Sequence, residues 1–454
     1  MKKIIIIGVN HSGTAVVNTI AENNKKNDWK ITAYESNSNC SFLGCGIALW
    51  VSNKIDDPQG LFYSSPEALE KVGAKVFMEH LVQNIDFKNK KVTVKNLKTN
   101  EVFEDTYDKL VISTGSTPID LRLDGKLLSE YDNVMGIKLF QDAQLLIKKL
   151  KDPSIKNVSI IGAGYIGVEL SEAAEINGRK VTLIDQSPIL LGNHYDEEFT
   201  SQMEKVVLDK KINLALGQKV ESVIAKGNNV TAIKTNKETI KTDLVIASVG
   251  VNMNTSWITD PALKKIKNGA IIVNKHQETS IKDVFAVGDC ATVTDSITGE
   301  SVSIALASNA VRSGKVAGTN ICCPKSIESF NSVQGSNAIS IYGLNMVSTG
   351  LTTLAAKKAG IEIESSFFES EQKLAFMKEK HKVTIKVFYN KKNREIVGAQ
   401  IASTYDISMA IHMFSLAIAK KVTIDELKFM DLFFLPHFNS PFNYINEVAL
   451  KAKK

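Results

Sequence analysis

Val158-Ser159-Ile160-Ile161-Gly162-Ala163-Gly164-Tyr165-Ile166-Gly167 is the stretch that decides the fold. A short β-branched run without alternation reads as a strand buried on both faces of a parallel sheet, and the glycines ending it open a helix expected through Ile176. In this G-x-G-x-x-G, Gly162 makes the tight turn, Gly164 lets backbone N–H groups approach a pyrophosphate, and Gly167 permits close helix–strand contact. The next strand, Val181-Thr182-Leu183-Ile184-Asp185, ends in a carboxylate 23 residues after Gly162. A carboxylate there accepts hydrogen bonds from an adenosine ribose and repels a 2′-phosphate, which points to NADH over NADPH.

The same grammar opens the chain. Lys3-Ile4-Ile5-Ile6-Ile7 reads as a buried strand, followed by Gly8-Val9-Asn10-His11-Ser12-Gly13, with Asn10 where a second glycine is expected. Glu35 ends the next strand, 27 residues after Gly8, and can hold a second ribose. Two dinucleotide sites imply two dinucleotides, and hydride chemistry usually passes from a nicotinamide to a flavin, so FAD is expected in the first. Two more apolar runs end in glycine, Leu110 to Gly115 and Val284 to Gly288. Asp289, after the second, would supply a carboxylate to the ribityl chain, which makes the first domain one interrupted by the second.

The chain has 454 residues, for which about three domains is the prior. Apolar residues are 44% and charged residues 23%, an ordinary globular balance far from the disordered corner. Lys and Arg total 55 against 49 Asp and Glu, a net charge of +6 that is scattered, so no nucleic-acid partner is expected. No apolar stretch approaches a membrane span of about 18 residues. The Ile4 to Ile7 run is too short for a signal peptide's apolar region. Five irregularly spaced cysteines fit neither a secreted disulfide framework nor a zinc site, so a cytoplasmic protein without metal is expected.

After Cys322-Cys323-Pro324 the pattern turns to alternating strands (Ala338 to Tyr342, Val383 to Tyr389, Ile396 to Ile401) and a helix from about Ile407 to Lys420. The expected architecture is α/β: two Rossmann-like dinucleotide-binding domains, the FAD domain interrupted by the NAD domain, and a C-terminal α+β dimerisation domain. The expected boundaries are 1–118 for the first part of the FAD domain, 119–150 for a connection, 151–250 for the NADH domain, 251–325 for the second FAD part, and 330–454 for the C-terminal domain.

Cys45, in Ser41-Phe42-Leu43-Gly44-Cys45-Gly46-Ile47-Ala48-Leu49, has glycines on both sides that allow close approach of a planar ligand. A helix starting near Ile47 is expected to lower its pKa, and such a thiolate can cycle through a sulfenic acid. The bland alternative is a small buried hydrophobe. Cys40 stands at the spacing of a dithiol with Cys45, or is an incidental strand-end residue. Cys290 is expected to pack, and Cys322-Cys323 to lie in a surface linker. His11, at the turn into the first helix, is either polar filler or a proton donor to reduced oxygen. His437 lies in an aromatic, Pro-kinked tail read first as an interface.

These residues together resemble the water-forming NADH oxidases of the flavoprotein disulfide reductase superfamily, with NADH peroxidase and coenzyme A-disulfide reductase close by. The resemblance rests on His11, Ser41 to Leu49, Gly162 to Gly167, Gly288-Asp289, Gln334-Gly335-Ser336 and Pro436-His437-Phe438. It implies that FAD lies against Gly8, Val9, Asn10, Ser12, Glu35, Cys45, Thr114, Gly115, Ser116, Lys138, Asp289 and Ala307. NADH is implied at Gly162, Gly164, Tyr165, Ile166, Gly167, Asp185, Tyr195, Gly250, Ala305 and Gly335, with Tyr165 swinging aside for the nicotinamide. His11 and Cys45 are the implied catalytic pair, Cys45 cycling between thiolate and sulfenic acid while O₂ becomes water. A homodimer is implied through the C-terminal domain. The competing activities are NADH peroxidase, which shares His11 and Cys45, and coenzyme A-disulfide reductase. A flavin-bound redox sensor with little turnover is the alternative of a different class.

Overall fold

A computed structural model describes residues 1–24 and 28–453. Its first sheet is wholly parallel, in the order Val284–Ala286, Lys109–Ile112, Lys2–Ile7, Trp29–Glu35, Ala74–Met78. Ile4, Ile5 and Ile6 are fully buried, as an unalternating run at the centre of such a sheet requires. The strand Val284–Ala286 completes this sheet from beyond the second domain, so the expected interruption is observed.

The second sheet repeats the last four of that order with Leu244–Ala247, Asn157–Ile161, Lys180–Asp185 and Asn213–Leu216, and takes its other edge strand, Val134–Gly136, from before them in the chain, again all parallel. The likeness extends to the insertions. In each unit a three-stranded antiparallel sheet, His80–Asp86 to Val102–Thr106 or Val220–Lys226 to Thr239–Lys241, precedes the strand that returns beside the first. One expectation is corrected: the segment 119–150 is not merely a connection, because Val134–Gly136 is an edge strand of the second sheet and the helix Phe140–Lys151 follows it.

The third sheet is antiparallel, in the order Asn337–Ile341, Leu344–Gly350, Ile396–Ser403, Lys382–Asn390, Ile363–Glu371. The helix Ser408–Ala419 covers it, burying Ile411, Phe414 and Ile418. Polar ties bind this sheet to the second unit. Buried Lys386 pairs with Asp196 at 3.0 Å and Glu198 at 2.7 Å, while Glu172 accepts from the Tyr342 N–H at 2.8 Å. Among the described residues no helix is long and apolar enough to cross a membrane.

Candidate active site

The first nucleotide loop joins the strand Lys2–Ile7 to the helix His11–Asn23. Gly8 has φ +91°, and a Cβ there would meet Ser113 O at 2.4 Å. Both facts demand glycine. Asn10 is the helix N-cap at φ −98°, an ordinary backbone, and its counterpart Gly164 is also at negative φ with open space around a Cβ. The second glycine of the motif is thus conformationally dispensable in this fold, and Asn10 breaks nothing. Glu35 accepts from the Val9 N–H at 2.7 Å and the Asn37 N–H at 2.8 Å. Burial raises its pKa and those N–H groups oppose the rise.

Beside this loop lies a cavity of about 730 Å³, lined by Gly8, Asn10, His11, Ser12, Glu35, Thr114, Gly115, Ser116, Lys138 and Asp289 among others. Ser116 donates to Asp289 Oδ2 at 2.6 Å, and Lys138 Nζ lies 3.0 Å from Ser116 Oγ and 3.4 Å from Asp289 Oδ2. Three residues drawn from distant parts of the sequence therefore meet on one wall. The glycine cradle, the N–H groups opening the helix and a cavity of this size fit a dinucleotide such as FAD. Val9 is buried beside the lining, and Ala307 starts the helix whose Ala310 reaches it.

Cys45 sits in the single turn Gly44–Gly46 before the helix Ile47–Val51. It is exposed and a free thiol; Cys40 is also free, buried in the core with Ile31 and Leu69, so no disulfide joins them. The expected lowering of the Cys45 pKa is not found: although the residue is exposed, partial burial of its thiol pushes the pKa up, its own backbone N–H opposes, and Glu169 adds to the rise. A five-residue helix is too short a dipole to outweigh desolvation. Burial lowers the His11 pKa, with Asp289 raising it and Lys138 lowering it. Tyr63, which the sequence reading missed, lies 3.1 Å from His11 Nδ1 through its hydroxyl. Cys290 packs against Ile112 and Val287 carbonyls, as expected.

The second loop copies the first. Gly162 has φ +107° with a virtual Cβ 2.4 Å from Ser248 O, and Asp185 accepts from the Ala163 N–H at 2.6 Å and the Ser187 N–H at 2.7 Å. Ile166 is exposed, and Gly167 lies in the first turn of the helix Tyr165–Ile176. Tyr165 donates to Asn337 Oδ1 and lies 4.4 Å from the His194 ring. Tyr195 requires correction as a nucleotide contact. It is 1% exposed, packs edge-to-face on Tyr165 from the core side, and turns its hydroxyl to Met346 O at 3.0 Å and Asn337 Oδ1 at 3.3 Å, while His194 also packs beside Tyr165. Gly250 accepts from the Ile119 N–H; Ala305 is exposed; Gly335 faces Ile304. Glu169, one turn after Tyr165, was also missed. Burial and Glu172 push its pKa up to about 7, against Lys54.

The model of the pyridine nucleotide-disulphide oxidoreductase family matches residues 2–314, and that of its dimerisation domain matches 338–444. The chain belongs to the pyridine nucleotide-disulphide oxidoreductase family. Membership makes it an FAD-dependent oxidoreductase, as the resemblance in the sequence implied. It is similar to the NADH oxidase of Streptococcus pneumoniae serotype 4, 47% identical over the whole of both chains. It is also similar to the NADH oxidase of Mycoplasma genitalium, 39% identical over 100% of this chain and 98% of the other. Among solved structures, the water-forming NADH oxidase from Lactobacillus brevis bound to NADH is 38% identical with a TM-score of 0.94, covering 99% of this chain and 98% of that one.

Proposed function

We propose that the chain is a cytoplasmic NADH oxidase that reduces O₂ to water, with Cys45 as its single redox cysteine. The observation that carries the reading is an exposed, free Cys45 three residues after Phe42, which lines the dinucleotide-sized cavity together with His11, while Cys40 is buried in the core. The full-length similarity to enzymes named NADH oxidase supports it.

In this reading the loop Gly8 to Ser12 holds the pyrophosphate of FAD, Glu35 a ribose, and Thr114, Gly115, Ser116, Lys138, Asp289 and Ala307 the remainder. Gly162, Gly164, Tyr165, Ile166, Gly167, Asp185, His194, Gly250, Ala305 and Gly335 hold NADH. Bound FAD supplies the passage of electron pairs from NADH to oxygen. Cys45, as thiolate, attacks the peroxide that two-electron reduction of O₂ yields. An S–O bond forms, the O–O bond breaks, the expelled hydroxide takes a proton and leaves as water, and the sulfur is oxidised to sulfenic acid. Two electrons from a second NADH break the S–O bond, returning the thiolate and a second water. His11 stands at the cavity wall to donate to the departing oxygen. The balance is 2 NADH + O₂ + 2 H⁺ → 2 NAD⁺ + 2 H₂O.

The test is to add one equivalent of hydrogen peroxide to the NADH-reduced enzyme, trap with dimedone and map the adduct by mass spectrometry. Label on Cys45 alone is expected; label on Cys40, or none, overturns the single-cysteine cycle.

A further inference from the structure

Tyr63 reaches the site by a short pairing of two loops. The Tyr63 N–H donates to Ser41 O at 3.3 Å, Phe42 bridges Phe62, and the Leu43 N–H donates to Leu61 O at 2.8 Å. The segment leading into Cys45 is thereby bound edge to edge with the segment carrying Tyr63. Ser41 in turn bonds the Val9 carbonyl through its N–H at 3.0 Å, and its hydroxyl lies 2.7 Å from that of Thr14. The phosphate loop, the cysteine segment and Tyr63 thus form one framework.

Within it the Tyr63 hydroxyl lies 3.1 Å from His11 Nδ1, with the two rings 3° from parallel. The Thr14 side chain also hydrogen-bonds the Tyr63 oxygen as a donor, which leaves the hydroxyl proton of Tyr63 for Nδ1. A neutral imidazole has one donor nitrogen and one acceptor. Burial keeps the Tyr63 hydroxyl protonated, and burial favours neutral His11 between the opposite charges of Asp289 and Lys138. A hydroxyl donating to Nδ1 satisfies both groups and leaves the proton of the ring on Nε2. Nε2 has no partner among the described residues, and His11 lines the cavity.

We propose that Tyr63 is a positioning residue that locks His11 as its Nε2–H tautomer and holds that N–H as a fixed donor to the oxygen expelled when Cys45 attacks peroxide. This rests on the oxidase reading for what the donor serves, but the lock itself is a property of the pair.

The experiment is ¹⁵N NMR of the FAD-loaded enzyme with labelled histidine, the His11 signals being assigned by their loss in His11→Gln. The parent enzyme should show Nε2 protonated and Nδ1 unprotonated. In Tyr63→Phe the tautomer ratio should shift at least about fivefold, the factor one neutral hydrogen bond carries. The same variant should release hydrogen peroxide during NADH oxidation while anaerobic reduction of its flavin by NADH is unchanged. A parent spectrum with Nδ1 protonated overturns the proposal even where the variant does not fold. So does a folded Tyr63→Phe with an unchanged tautomer ratio and no added peroxide. A lock that appears as expected in an enzyme consuming one NADH per O₂ supports the lock and overturns the water-forming reading, so the two failures are distinguishable.

Discussion

Cys45 shows how little of a residue's chemistry its neighbours in sequence decide. Flanking glycines and a following helix were enough to single it out, yet burial and Glu169 together hold its thiol above the ordinary range. Cys45→Ser should keep NADH oxidation and shift the product to hydrogen peroxide, read as a change from two NADH per O₂ towards one. Asp185, holding the Ala163 and Ser187 N–H groups through its two oxygens, was legible because spacing alone marks it. Asp185→Ala should remove the repulsion of a 2′-phosphate and narrow the preference in kcat/KM for NADH over NADPH at least about tenfold. Glu169 and Tyr63 were not legible, because each meets its partners through folds of the chain that no spacing rule records. With its carboxyl pKa raised to about 7, Glu169 favours folding when protonated, so its stabilising effect is lost as pH rises from the ordinary carboxylate range through 7. Glu169→Gln should therefore raise stability above pH 7 by on the order of 1 to 3 kcal/mol, read as a higher melting temperature there, with the gain vanishing near pH 4.

At the scale of elements, the two nucleotide loops are near copies. Gly8 and Gly162 stand at positive φ against the carbonyls of Ser113 and Ser248, each at 2.4 Å from a virtual Cβ. Because the atom met is backbone, nothing yields cheaply, and Gly8→Ala should cost about 1 to 3 kcal/mol locally and strip FAD. The ratio of flavin to protein absorbance after purification reads this directly, with a fall of at least about tenfold expected. The parallel strands were legible because burial on both faces leaves unbroken apolar runs such as Ile4 to Ile7. The three-stranded insertions were not, since strands such as Val102–Thr106 alternate with charged, exposed residues and lack that signal. The Leu344–Gly350 strand escaped notice for the different reason that Ser348 and Thr349 are buried polar residues in its middle. Tyr195 was misplaced because an aromatic near a nucleotide loop reads the same whether it faces ligand or core; its burial and its bond to Met346 O turn it to the core.

For the whole molecule, one surface asks for a partner. Phe429 is 78% exposed, Phe433 69% and Phe438 51%, grouped with His437 in the tail that follows the third sheet. Apolar exposure on that scale is what an interface buries, and the matched dimerisation domain suggests a second copy of the chain as the occupant we propose for it. Phe433→Asp with Phe438→Asp should shift sedimentation from dimer towards monomer, while a dimer undisturbed by both would place the interface elsewhere. The ties of Lys386 to Asp196 and of Tyr342 to Glu172 bind the third sheet to the second unit. The measurement that tests the central claim most directly is NADH loss and O₂ uptake recorded together on the purified holoenzyme, with and without catalase. Two NADH per O₂, unaffected by catalase, is the predicted result. One NADH per O₂ with accumulating peroxide would contradict it.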